Sequence, residues 1–363
     1  MHEFPFIFVL PINIDLQNLG KMKTYQDGEI YFIRELDYIS GKPTSFVKIG
    51  LVRYKENRNS FGRLMEHQTG NPRKLDLENK HIVKTQAVDL LEAQLHRQFA
   101  QQRISGEWFE FQNDAAIESA VKIAQSLAKE VSKRLPRFQE AEDLMLKKSN
   151  KKIRPATDEE RELARTLLIS KTKMSLCKEL SDRSKELLTK AYSEGADISD
   201  AAKTSVKTYK PVFLEDKFKE KHRDLWDKYQ GEVRKWMHSF LNKYKLVAGD
   251  LGEEFEAEIE RIDSVLKLVE SKGDYGLLVE VNLTLTNLNG LAEWDAKLSE
   301  AELKIKLDLW DGIDGVCTWK RYEDVKMKFD SERFAAENPE LALKFVSTPV
   351  VKTYVVPKKG KTQ

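Results

Sequence analysis

Residues 28–111 constrain this chain more than any other stretch. They carry Gly28-Glu29-Ile30-Tyr31-Phe32-Ile33, Val47-Lys48-Ile49-Gly50, Arg63-Leu64-Met65-Glu66-His67, Glu92 with His96, and finally Gly106-Glu107-Trp108-Phe109. Gln26-Asp27-Gly28 is a turn signal, and residues 30–33 and 46–49 are β-rich in type. Between them Ser40-Gly41-Lys42-Pro43 suits a hairpin connection, so the two strands should pair antiparallel and bring Lys48 near Tyr31. Arg63 and His67 lie four apart and share one face of a short helix, with Ser60 placed to cap it. Thr69-Gly70-Asn71-Pro72 ends that helix. A strand around 75–83 follows. Val88, Leu91, Leu95 and Phe99 then recur at helical spacing. A 103–106 loop leads to Glu107, at the start of a strand through residue 111.

These groups suit one chemistry. Phosphodiester hydrolysis needs an activated oxygen nucleophile, charge stabilisation at phosphorus and help for the leaving oxygen. A phenol, two cations, an imidazole and a carboxylate able to bind one metal ion supply those parts. Each residue also has an ordinary structural role available. Tyr31 can be an interface tyrosine, Lys48 an exposed strand lysine, Arg63 an ion-paired helix arginine, and His67 a satisfied surface histidine.

In order and spacing the pieces resemble a GIY-YIG nuclease domain, of the subfamily found in phage and phage-defence proteins. The resemblance covers about a quarter of the chain. It implies that Tyr31 helps activate the attacking water and that Arg63 contacts the scissile phosphate through its fixed fork of donors. It implies that His67 aids proton transfer or positions water, and that Glu107 binds Mg²⁺ or Mn²⁺. Lys48 stands where most members carry a second tyrosine. A lysine there is similar to some restriction-enzyme members, and a cation beside Tyr31 would favour its phenolate. Glu92 and His96 match accessory positions. Where the family often has an asparagine after the glutamate, this chain has Ser119, with Asn113 nearer.

The rest of the chain reads as mainly helical. Residues 114–135 form a helix with Ile117, Val121, Leu127 and Val131 on its apolar face, and a basic linker follows over 147–155. Thr157-Asp158-Glu159-Glu160 opens the next helix as a capping box, and 158–208 reads as all-helical with a break at Glu194-Gly195. Phe213, Phe218, Leu225, Tyr229, Val233, Trp236, Phe240 and Tyr244 predict a long amphipathic helix. With a second one over 253–270 it would make a hairpin suited to self-association or a protein partner. Val279, Val281, Leu283 and Leu285 alternate as in a strand, as do residues 303–309. Residues 293–356 also resemble the tail segment of YqaJ-type, lambda-exonuclease-like phage recombination nucleases, through Gly312 to Gly315, Thr318-Trp319-Lys320 and Asn338-Pro339-Glu340-Leu341. That resemblance implies a helix over 291–308 and strands at 315–320, 324–329 and 350–356. Asp295 and Glu302-Leu303-Lys304 mimic another nuclease motif but read as solvated charges.

The expected fold class is α+β: a small N-terminal GIY-YIG α/β nuclease domain with an antiparallel sheet over 1–112, a basic helix and linker over 113–156, and a helical middle over 157–212. A helical hairpin with a small sheet would occupy 213–363. The net charge is only +2, from 61 basic and 59 acidic residues, so nucleic-acid binding needs a local basic face. Two cysteines, Cys177 and Cys317, are too few for a disulfide framework and fit a reducing cytoplasm. The apolar run over 4–10 lacks a basic flank and a cleavage site, and reads as a buried strand. No run reaches the ~18 apolar residues of a membrane span.

Three functional readings fit. The first is a metal-dependent DNA endonuclease, with RNA as another polymer it could cut, in restriction or phage defence. The second is a non-catalytic nucleic-acid- or protein-binding module on a degenerate fold, favoured by Lys48 and the missing asparagine. The third is a structural subunit, suggested by the long helices.

Overall fold

The computed structural model describes residues 25–56, 58–69 and 71–358. The predicted leading segment over 1–24 lies outside the described residues. The fold is mixed α+β, as expected: an N-terminal antiparallel sheet, a helical middle, and C-terminal helices with small sheets.

β1 (Gly28–Leu36) and β2 (Pro43–Arg53) form the predicted hairpin, with Tyr31 opposite Gly50 and Ile33 opposite Lys48. α1 (Ser60–Gln68) follows. The predicted strand around 75–83 is two strands, β3 (Lys74–Asp76) and β4 (Ile82–Thr85), both paired with β1. A short 3₁₀ turn separates them, which lets each meet a different part of β1. α2 (Val88–Gln98), β5 (Arg103–Ser105) and β6 (Trp108–Glu110) complete the unit. The strand order is β3-β1-β2-β6-β5, with β4 also on β1.

Strand alternation splits the sheet into two faces. Ile30, Phe32, Val47, Ile49 and Phe109 point one way, into a core with Leu91 and Leu95 of α2. α3 (Asp114–Met145) closes that core with Ile117, Val121 and Ala124. Tyr31, Ile33 and Val52 point the other way, against Leu64 of α1 and Trp108. β1 is therefore buried along its whole length.

The remaining elements differ from expectation in several places. The basic linker contains β7 (Ile153–Arg154). α4 (Asp158–Ser193) begins with the predicted box: Thr157 and Glu160 cap each other's backbone. It stops at Ser193, and β8 (Ala202–Tyr209) replaces the predicted helical end. The predicted long helix over 213–245 is instead α5 (Glu215–Lys221), α6 (Arg223–Lys228) and β9 (Gln230–Asn242). Trp236, His238 and Phe240 alternate on one half-buried face of β9, and Trp236 and Phe240, four apart, fit a helical period as well as a period of two. No 213–270 helical hairpin forms: α7 (Glu253–Lys272) packs on α4 and on α8 (Leu278–Leu307).

The alternating segments 279–285 and 303–307 lie within α8. A helix surrounded on several sides shows no one-sided stripe, so its apolar residues fall at every spacing. β10 (Gly312–Ile313) pairs with β7 and with β11 (Cys317–Phe329), which is one strand where two were predicted. α9 (Ser331–Glu337), α10 (Pro339–Leu343) and β12 (Val350–Pro357) end the described chain. The charges read as solvated are partly buried: Lys304 is 8% exposed and pairs with Glu300 at 2.7 Å, while Glu302 meets Arg137 at 2.6 Å. Only Asp295 is exposed.

Two antiparallel ribbons, β9–β11 and β8–β12, run from the helical body to a small aromatic module. Phe218, Phe329, Phe334 and Phe345 form the centre of that module. Cys177 and Cys317 are buried free thiols in separate cores. Among the described residues no helix is long and apolar enough to cross a membrane.

Candidate active site

The site forms on the Tyr31 face of the sheet, and local packing fixes each part. Tyr31 is 1% exposed, and its phenol lies over Gly50. A Cβ on Gly50 would collide with the Tyr31 hydroxyl and ring, so this glycine makes room for the phenol. The phenol oxygen is 3.0 Å from Nε2 of His67.

α1 is held in place by Glu29 of β1. Its buried carboxylate accepts from the Ser60 hydroxyl at 2.6 Å and from the Ser60 backbone N–H at 3.1 Å. Ser60 is thus the anchor of α1 and not its cap. Asn59 caps instead, accepting from Gly62 N–H at 2.8 Å. This anchoring points Arg63 and His67 at Tyr31. Arg63 pairs with Glu66, one turn along, and its charge also reaches the phenol.

On the next strands Lys48 donates to Oε2 of Glu107 at 2.6 Å. Lys48 therefore engages the carboxylate, while Tyr31 engages His67. The cation that acts on the phenol is Arg63. Burial pushes the Tyr31 pKa up to about 12, with Glu107 and Glu92 adding to the rise and Arg63 opposing it. Burial also pushes His67 below the ordinary histidine value, helped by the charges of Lys48 and Arg63. At neutral pH the bond thus joins a neutral phenol and a neutral imidazole, and the His67 tautomer with its proton on Nδ1 lets the phenol donate.

The two carboxylates differ. Burial raises Glu107, but the Lys48 hydrogen bond and charge, with His96 and His67, outweigh it and hold the group ionised. Burial pushes Glu92 up to about 7, and the charges of Glu107 and Asp89 add to that shift. Glu107 is thus a carboxylate at neutral pH, while Glu92 is poised to change charge there.

His96 does not act as a free imidazole. Its Nε2 lies 2.9 Å from the Ile49 carbonyl, which has no proton to give, so Nε2 donates. Its Nδ1 then accepts from Arg103 at 3.0 Å. Arg103 also donates from Nε to the Gly106 carbonyl at 2.7 Å, and Ile49 N–H donates to the Glu107 carbonyl at 2.9 Å. These contacts close a ring that ties the Lys48-Ile49-Gly50 strand to the backbone carrying Glu107.

Of the expected site residues, Tyr31, Arg63 and His67 converge as one group and Lys48 with Glu107 as a second beside it. Glu92 faces the second electrostatically, and His96 braces it. Asn113 caps α3 and Ser119 is exposed, so neither stands in for the absent asparagine. Sequence reading missed Glu66, although its i,i+3 spacing from Arg63 signals the pair. It also passed over Glu29 and Arg103, for which no local pattern speaks.

A resident metal was expected at Glu107. Among the described residues, no cluster of three or more His, Cys, Asp or Glu could cage one. A magnesium ion needs no cage, since it keeps several waters and takes one or two carboxylates plus phosphate oxygens. The Glu107 side chain is 42% exposed, ionised and all-oxygen, so it fits such a hydrated hard cation.

A family model described as the T5orf172 domain matches residues 28–125. This is a phage-associated domain with a GIY-YIG-like, nuclease-like fold. The matched span contains every site residue described above. No curated protein and no solved structure matches the chain.

Proposed function

We propose that this chain is a metal-assisted DNA endonuclease of the GIY-YIG type, acting in restriction or phage defence. The observation that carries the reading is the Tyr31–His67 hydrogen bond, set beside Arg63 and the Lys48–Glu107 pair. In this mechanism the attacking water gives a proton to the Tyr31 oxygen as Tyr31 passes its own proton to Nε2 of His67. The new phosphorus–oxygen bond forms as the bond to the leaving oxygen breaks. Tyr31 needs no phenolate for this, which agrees with its raised pKa. Arg63 exchanges Glu66 for the phosphate and holds two of its oxygens. Lys48 orients Glu107 and adds positive charge near the reacting phosphate. Glu107 would hold the divalent cation, which when bound supplies charge neutralisation at the leaving oxygen.

The test uses the full chain with plasmid DNA and Mg²⁺ or Mn²⁺, alongside an RNA of matching sequence. Wild type should nick or linearise the plasmid, and Glu107→Gln should lose cleavage while still retaining DNA binding. Equal cleavage by the variant removes Glu107 from the mechanism. Binding without cleavage by wild type in both metals would replace this reading with a non-catalytic binding module.

A further inference from the structure

The β8–β12 ribbon has two unlike faces. Its register places Lys207 opposite Lys352 and Ser205 opposite Tyr354, so these four point the same way. Lys203 and Tyr209, two residues either side along β8, share that face. The other face carries Val206, Thr353, Thr208 and Val351. The lysine face contains no acidic residue. Lys207 sits over the Tyr209 ring at 5.1 Å, and the Tyr209 and Tyr354 hydroxyls are hydrogen-bonded.

This face overhangs a cleft of about 450 Å³, whose opposite wall is Ser181 and Lys185 of α4 with Asn282 and Thr286 of α8. Among the described residues, none of the side chains lining the cleft is acidic. Asn282 is 4% exposed, and its amide nitrogen has no hydrogen-bond partner among the described residues. A buried donor without an acceptor is costly, and a ligand oxygen would satisfy it. The cleft thus offers two exposed ammonium groups, a spare amide donor, hydroxyls and a pair of tyrosine rings.

We propose that this cleft binds a nucleotide, with the phosphate between Lys185, Lys207 and the Asn282 amide and the base on Tyr209 and Tyr354. Lysines supply phosphate affinity without base preference, and aromatic faces accept any base. The volume suits a unit of that size. The nucleotide comes either free or within a single strand. The cleft is built from α4, α8 and the ribbon, none of which contributes to the Tyr31 site, so the proposal does not depend on cleavage.

The experiment measures binding by the full chain in EDTA, using a short fluorescent oligothymidylate, and thymidine monophosphate as a separate probe. Lys185→Ala/Lys207→Ala should weaken binding on the order of tenfold and flatten its salt dependence. Tyr354→Ala should weaken it as well, while leaving the salt dependence unchanged. Both lysines are exposed, so an unchanged melting midpoint will confirm that the double variant folds. The loss should persist in an Arg63→Ala background, which separates this cleft from the nuclease site. If only the oligonucleotide is affected, the ligand is a strand; if the mononucleotide is affected too, the free nucleotide suffices. Unchanged affinity for both probes in the double-lysine variant would overturn the proposal.

Discussion

Tyr31 shows how one residue's surroundings select its chemistry. Its phenol fits only because position 50 lacks a side chain, and burial holds it neutral with Nε2 of His67 as its hydrogen-bond partner. Gly50→Ala should therefore cost ~1–3 kcal/mol of stability through overpacking. It should also swing the phenol off His67 and remove cleavage. A variant that melts and cuts like wild type would show that the ring is free to move. The pH dependence follows from the lowered His67 pKa. A base with a depressed pKa is competent above that pKa, so cleavage should be level through neutrality and fall only below the ordinary histidine range, near ~6.5. Tyr31 ionises at about 12, so it adds no alkaline limb at moderate pH. His67→Gln should slow the reaction and remove the acid limb. A limb near neutrality that survives in His67→Gln and vanishes in Glu92→Gln would assign it to Glu92, whose pKa is about 7. The set Tyr31, Arg63, His67 and Glu107 was legible through the order and spacing that resemble a GIY-YIG domain, whereas the neutral phenol was not, because burial shows only in the fold. The partner of Lys48 was not, since strand register brought it near Tyr31 while β6 brought Glu107 nearer still.

Helices were legible where one face is buried, and β1, buried on both faces, was legible through its β-rich residue types and the turn before it. α2 and α3 carry one-sided stripes and were readable, while α1 was placed by its Arg63–His67 spacing and the turn residues after it. α8 is buried on several sides and imitated a strand, while β9 holds Trp236 and Phe240 four apart on its half-buried face, a spacing that a helix shares. The ribbons lack the core against which alternation is normally read. Element joints carry function too. Arg103, in β5, links His96 of α2 to the Gly106 carbonyl and so sets the approach of Glu107. It is a positioning residue, so Arg103→Met should raise the Mg²⁺ concentration needed for half-maximal cleavage. Turnover at saturating metal should fall by on the order of tenfold, as expected for misplacing a group near the reacting atoms. His96→Gln, which keeps one donor and one acceptor, should do less harm. An Arg103→Met enzyme with an unshifted metal titration would show that the ring is only scaffolding.

At the scale of the molecule, the N-terminal sheet unit ends where its core ends. The sequence suggests a boundary at 112, because the motif residues stop there. The core does not stop there: Ile117, Ala120, Val121, Ala124 and Ala128 of α3 pack with Ile30, Phe32 and Phe109 of the sheet. Burying an isoleucine or valine contributes ~1.5–3 kcal/mol each, and the three alanines add less. Losing all five would therefore remove an amount comparable to the whole ~5–15 kcal/mol stability of a domain. Farther along α3 the partners change. Phe138 and Ala141 pack with Ala301 and Trp294 of α8, and Arg97 of α2 reaches Glu293 at 3.0 Å. A fragment running to the end of α3 would expose that second surface. The expectation is that residues 1–112 are unfolded by circular dichroism, whereas residues 1–130 melt cooperatively. Residues 1–145 should fold as well but associate through the bared Phe138 face, detectable by light scattering. Arg97→Ala/Glu293→Ala in the full chain should leave melting nearly unchanged, since a partly exposed ion pair contributes only ~0–1 kcal/mol. If 1–112 instead melts cooperatively at the midpoint of 1–130, α3 is a cover and not part of the core, and the unit ends where the motifs end.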